Sequence, residues 1–331
     1  MKAWAARHRG KLVAAAVLAA SPVVAHVAIG RLTRLEPPPV DVARPTVREE
    51  SGVRRAGRSW TAVRGVRVVH LAGTPVEIGA AHATLLYDRM AENEQIVWDG
   101  FREVVPFGPA RALLFDVGLV RHRNVERGFP EARRHELAAQ SAAFTPDPYA
   151  HLLPTYQRMV MLHALYDIAL GFERSPLLGC TAFGLGSETT GDGHVLFARA
   201  FDFEAADVFD RDKAVFVVRE DGKIPFASVA WPGFVGVVTG MNAEGVAVAV
   251  HGARAREPAD VGLPVAFSLR DVLATARDAD EAIAVLSAQE VMVSHLVFVA
   301  DARGRFAVVE RAPGERAHVR DAQVAPGRAA V

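Results

Sequence analysis

The sequence predicts an α+β fold, and three observations carry the prediction. Residues 75 to 175 are mostly helix-patterned. After Cys180 the chain breaks into short alternating runs joined by turns bearing Gly or Asp. The order within that second half is strands, then helices, then strands, which fits antiparallel sheets with helices on their faces and not a parallel doubly wound sheet. A chain of 331 residues, half of them apolar, can bury a sizeable core in one or two domains.

Lys2, Arg7, Arg9 and Lys11 precede the uncharged run "LVAAAVLAASPVVAHVAIG", residues 12 to 30. A basic stretch followed by an apolar one addresses a chain to a membrane, either as a signal peptide cut near "VVA" or as an uncleaved anchor. Because the positive charge comes first, the remainder is expected outside the cytoplasm, on the periplasmic or extracellular face. Residues 31 to 63, which include the Pro-rich "LEPPPVDVARP", read as a linker.

"RGVRVVHLAG" (64 to 73) alternates as a strand does. The helix after it has a start signal: Thr74 as cap, Pro75 in the first turn and Glu77 three residues past the cap. Further helices are predicted at about 131 to 143 and 154 to 172. Residues 64 to 179 and 180 to 331 are read as the two parts of one catalytic domain. In the second part four hairpins are predicted. "CTAFGLGS" pairs with "HVLFARAFDF", and "AVFVVRE" with "IPFASVAW". "GVVTGMN" pairs with "VAVAVHG", and "SHLVFVAD" with "RFAVVERA". Between the last two hairpins "SLRDVLATARDADEAIAVLSAQ" reads as two helices broken near Asp278.

Composition narrows the function. The 38 basic and 38 acidic residues balance, so nothing in the total asks for nucleic acid. The twelve His are scattered, and the chain has no CxxC, HExxH, Walker loop, GxGxxG helix start or GxSxG elbow, so neither a metal nor a cofactor is expected. Its one cysteine, Cys180, cannot form an internal disulfide. A lone cysteine is commonly a small buried hydrophobe. Here it opens the first strand of the β-rich half, follows Gly179, and faces a hairpin partner carrying Arg199 and Asp202. An Arg beside a thiol favours the thiolate. On a regular strand Arg199 and Asp202, three apart, point to opposite faces, so they converge only at a bulge or a strand end.

From about Arg64 to Arg311 the chain resembles the isopenicillin-N acyltransferase family of autoproteolytic N-terminal-nucleophile (Ntn) hydrolases. The residues that carry the resemblance are "LAGTPVEIGAAHATLL" (71 to 86), "GCTAF" (179 to 183), "FARAFDF" (197 to 203), "VTGMNAEGVAVAV" (238 to 250), "TARDADEAIAVL" (275 to 286) and "VFVADARGRFAVVE" (297 to 310). The resemblance implies a four-layer αββα sandwich and self-cleavage between Gly179 and Cys180. It implies Cys180 as nucleophile with its own freed α-amino group as base, acting on the amide bond of a small N-acylated molecule, with the cleaved N-terminal chain retained as partner. It places Arg199 and Asp202 against the thiol and the α-amino group. Asn242 fits the family's Asn, either as a catalytic group or as the shaper of a turn. His251 stands where the family often carries an Asn, either as a hydrogen-bond donor or as an ordinary strand histidine. The family also continues into a further strand with an oxyanion Asn. No Asn follows Asn242 here, so the sandwich is expected to be short of its C-terminal strand. A homologue that binds an acylated ligand or a partner without turnover is the alternative. A papain-like pairing of Cys180 with His251 or His295 is disfavoured, because such a thiol sits at a helix N-terminus.

Overall fold

The computed structural model describes residues 21–170, 178–203 and 208–321. The fold is α+β, as expected. Thirteen strands form two sheets. In the large one the order is β1 (Val47–Glu50), β2 (Val53–Ala56), β3 (Ser59–Arg64), β4 (Val66–Gly73), β7 (Ala214–Glu220), β8 (Phe226–Ala230), β9 (Thr239–Asn242), β10 (Ala247–Gly252), β11 (His295–Ala300), β12 (Phe306–Arg311) and β13 (His318–Asp321). Every pair in it is antiparallel except β4 with β7. The small sheet is the hairpin β5 (Leu178–Leu185) and β6 (Leu196–Phe203). The helices are α1 (residues 21–32), α2 (Pro75–Val104), α3 (Gly108–Arg121), α4 (Glu131–Ala143), α5 (Thr155–His163), α6 (Leu165–Leu170), the short α7 (Val208–Arg211), α8 (Val265–Thr275) and α9 (Ala279–Ala288).

All four predicted hairpins form, as β5–β6, β7–β8, β9–β10 and β11–β12. The start of α2 follows its sequence signal. Glu77 Oε2 accepts from the Thr74 backbone N–H at 2.8 Å, and Thr74 Oγ1 accepts from Glu77 N–H at 3.3 Å, the reciprocal capping box. Asp278 divides α8 from α9 by capping α9 through the Glu281 N–H.

Three expectations are corrected. Residues 47 to 63, expected within the linker, lie in β1 to β3 and their turns. Short polar strands at a sheet edge carry a weak apolar pattern, and their turns are set by Gly52 and Gly57 at positive φ. A strand not foreseen, β13, follows the hairpin read as last and pairs with β12. It supplies no Asn. Finally, the chain divides into two units, residues 1–35 with 101–123, and residues 36–100 with 124–331. Residues 101–123 therefore separate from the domain that was read as continuous from residue 64.

The two faces of the large sheet differ. Phe216, Phe226, Val248, Val297 and Val309 point to one face and are buried. Helices α8 and α9 pack there, and α2 approaches it through the ring of His82 against Phe216. Helices α2 and α4 meet at Gly79, where a Cβ would lie 2.1 Å from the Glu136 carbonyl oxygen. The other face presents Ala247, Ala249, His251 and Phe298. The β5–β6 hairpin lies on it, with Phe197 stacked on Phe298 and Gly184 so close to Phe306 that any side chain would overlap the ring. The expected sandwich is thus present with unequal sheets, eleven strands against two among the described residues.

Candidate active site

Residues paired across antiparallel strands share a face. In the β5–β6 register Cys180 pairs with Phe201 and Ala182 with Arg199, so the thiol, the guanidinium and the Phe201 ring lie on one face of the hairpin. Arg199 Nη2 is 3.3 Å from Cys180 Sγ and donates to the Val250 carbonyl oxygen at 2.7 Å, tying the hairpin to β10. Its guanidinium carbon sits 4.3 Å from the centre of the Phe201 ring, a cation–π contact. The next residue on β10, His251, points to the hairpin side and hydrogen-bonds the Cys180 backbone. Three of the predicted residues are therefore together: Cys180, Arg199 and His251.

Burial sets the electrostatics. It pulls the Arg199 pKa below the usual guanidinium value, opposed by the neighbouring Cys180 and Tyr166. Burial, and then the Arg199 charge, lowers His251, which keeps its imidazole neutral at pH 7. Arg199 Nε and Nη1 and His251 Nε2 are buried without a hydrogen-bond partner among the described residues. Buried polar groups are almost always paired, so three such atoms around one thiol mark a place where a polar ligand atom belongs.

The remaining candidates sit elsewhere. Asp202 pairs with Gly179, so its exposed side chain lies on the face opposite the thiol. The register runs unbroken from Leu178 to Leu185, and no bulge or strand end turns Asp202 toward Cys180. Asn242 is wholly engaged in the β9–β10 turn. Its Nδ2 donates to the Leu273 and Ala276 carbonyls at 3.0 and 2.7 Å, and its Oδ1 accepts from Glu244 and Val246 N–H at 3.1 and 2.9 Å. The turn-shaping reading of Asn242 is the one the structure supports. His295 is on the helix-covered face, bonded to the Val293 carbonyl and to Arg311, away from the hairpin.

Sequence reading passed over Tyr166. It lies near enough to Cys180 for the two charges to interact, and burial raises its phenol pKa. Its ring stacks on Phe201, which in turn meets Trp231. These three rings line an apolar cavity of about 120 Å³ with Met90, Met159 and Val238. Phe201 and Trp231 had no sequence signal separating pocket from core. Phe183, on the other face of the hairpin, is exposed and off the cavity.

Residues 189–327 match the family model described as acyl-coenzyme A:6-aminopenicillanic acid acyl-transferase. The chain resembles that family, as its motifs imply. The match spans Arg199, Asp202, Asn242 and His251 and begins after Cys180. An uncharacterised protein of Archaeoglobus fulgidus is 27% identical over 256 residues, 73% of this chain, and the match spans 42% of that relative's length. Among solved structures, a Caenorhabditis elegans orthologue of N-acylethanolamine-hydrolyzing acid amidase is 18% identical over 44% of this chain and 64% of that one, with a TM-score of 0.36. A mutant of the conjugated bile acid hydrolase from Clostridium perfringens is 18% identical over 43% and 51%, with a TM-score of 0.34.

Proposed function

We propose that the chain is a cysteine Ntn amidohydrolase or acyltransferase in which Cys180 forms an acyl-enzyme with a small N-acylated molecule. The observation that carries this reading is the meeting of the Cys180 thiol with His251 and with Arg199, whose buried Nε and Nη1 donors lack partners among the described residues. Arg199 favours the thiolate. The thiolate adds to the amide carbonyl, the amine leaves with a proton, and water or a second amine takes the acyl group from sulfur. The open Arg199 donors would receive the developing oxyanion, a role worth roughly 100-fold or more per donor. The apolar cavity beside Phe201 suits the acyl portion.

Self-processing belongs to the same reading. The Cys180 thiol attacks the Gly179 carbonyl carbon, the peptide nitrogen becomes the Cys180 amine, and water hydrolyses the resulting thioester. The freed α-amino group then has a pKa near 7.7–8.0 and serves as base. Asp202, across from Gly179, would stand beside that new amine. The apolar run at residues 12 to 30 supports export, with the chain acting on the periplasmic or extracellular side. A second reading, ligand binding without turnover, draws on Asn242, whose side chain is fully engaged in its turn and free for no oxyanion.

The test is a series of N-acyl p-nitroanilides with acyl chains of two to twelve carbons. Release of nitroaniline, with an acyl adduct on the peptide containing Cys180 and an optimum at short to medium chains, is expected. Binding of the same compounds with no amine release and no adduct would replace turnover with the second reading.

A further inference from the structure

The unit formed by residues 1–35 and 101–123 has a composition unlike the rest of the chain. It holds ten Lys and Arg (Lys2 and Arg123 at its extremes) against two acids, Glu103 and Asp116, a net charge of +8. As the whole chain is neutral, the remainder carries −8. Within the unit, α1 and α3 are joined by a hydrogen bond of 2.8 Å between His26 Nδ1 and Asp116 Oδ1. Asp116 and Leu119 make the buried face of α3. The flank next to that face carries Leu113, Val117 and Val120 at i, i+4 and i+7, with Leu114 beyond them, all exposed. Val23 and Val27, at i and i+4 of α1, are exposed as well. A soluble helix that turns such a stripe to water loses the burial that normally holds an amphipathic helix in place.

We propose that this face of α3 is a second membrane contact, lying in the interface of an anionic lipid bilayer with its axis along the surface. Two features select lipid over protein. Arg111, Arg121 and Arg123 stand along and just beyond α3 in a unit of net positive charge, the pattern of an interfacial helix that pairs an apolar face with anionic headgroups. The stripe also shares its unit with the apolar run at residues 12 to 30, of which residues 21–30 are described in α1. At 14 residues α3 is too short to span a bilayer, and among the described residues no helix is long and apolar enough to cross one. The proposal goes beyond the acyl-transfer reading and stands without it.

The test places a nitroxide on Val117→Cys, in the full chain carrying Cys180→Ser, and compares its collisions with oxygen and with a water-soluble nickel chelate. The probe is a vesicle of phosphatidylcholine with one third phosphatidylglycerol. Oxygen contact should exceed nickel contact at position 117, as expected just below the phosphates, while a label at Glu244→Cys, exposed in the other unit, stays in water. The triple substitution Leu113→Ser, Val117→Ser, Val120→Ser, at exposed positions that leave the fold intact, should lower partitioning about tenfold or more. A label at 117 that stays in water on these vesicles overturns the proposal even if the N-terminal run holds the chain to them. Equal insertion into pure phosphatidylcholine contradicts its electrostatic part. Protection at 117 without vesicles, in a particle of twice the chain's mass, would assign the face to a second copy.

Discussion

The two faces of the large sheet solve opposite problems. The helix-covered face buries a network of opposite charges. Arg133 bridges Glu136 and Glu220, and Arg270 reaches the same two carboxylates at 3.0 and 3.1 Å, all four side chains being buried. Buried histidines complete the pattern as neutral acceptors, His82 Nε2 from Gly233 N–H and His163 Nε2 from Val235 N–H, each at 2.9 Å. The hairpin face holds a single half-buried thiol, a cation reaching it, and buried N–H groups without partners among the described residues. One face buries a network of paired charges for stability; the other sets open guanidinium donors beside a thiol, where a reacting molecule would sit. Substitutions on the two faces should therefore separate stability from activity.

The largest separation is expected at the thiol. Cys180→Ala should lower acyl transfer by at least about 1,000-fold, while urea unfolding shifts by less than about 1 kcal/mol. A comparable loss of stability would place Cys180 in the core after all. Glu220→Gln is the converse experiment: it leaves two buried guanidiniums sharing one carboxylate and should cost about 3–5 kcal/mol in unfolding free energy, with the surviving folded fraction still active. Between these lies Gly184→Ala, whose Cβ would meet the Phe306 ring at 2.2 Å. About 1–3 kcal/mol is expected for such overpacking, along with a displaced hairpin and reduced turnover, so this one substitution touches both properties.

The last expected effect is on pH, spread over several groups. Burial lowers the pKa of His82 and His295 to about 3 and of His163 to about 4. Below their unfolded value of about 6.5 the unfolded chain takes up protons that the folded chain refuses, so stability is present above that pH and is lost as pH falls. Asp167, raised to about 7 by burial, runs the other way: the folded chain holds its proton first and gains as pH falls toward 4. Three groups against one predict a net loss of roughly 2–3 kcal/mol between pH 6.5 and 5, read as a falling midpoint in urea. A flat profile would mean that these imidazoles are solvated.

Most of the fold was legible because its signals are local. The capping box at Thr74, the Asp278 break and all four hairpin turns are set by residues within a few positions of one another. Strands β1 to β3 were not legible, since their apolar pattern is thin and their stability comes from pairing along β4. The site was legible in part. Cys180 and Arg199 share a hairpin whose register follows from its turn. Tyr166 comes near the thiol only through tertiary packing, and Asn242, open between a catalytic and a turn-shaping role, is placed in the turn by its four hydrogen bonds. The separation of residues 101–123 from their neighbours likewise has no local sequence marker.

The central claim is that Cys180 acts after release by its own cut, and the intact mass of the denatured protein beside Cys180→Ala tests it most directly. The account predicts two fragments meeting at Gly179 and Cys180 in the parent and one uncut chain in the variant. A single uncut chain in both would contradict self-processing and leave the thiol as part of a binding site.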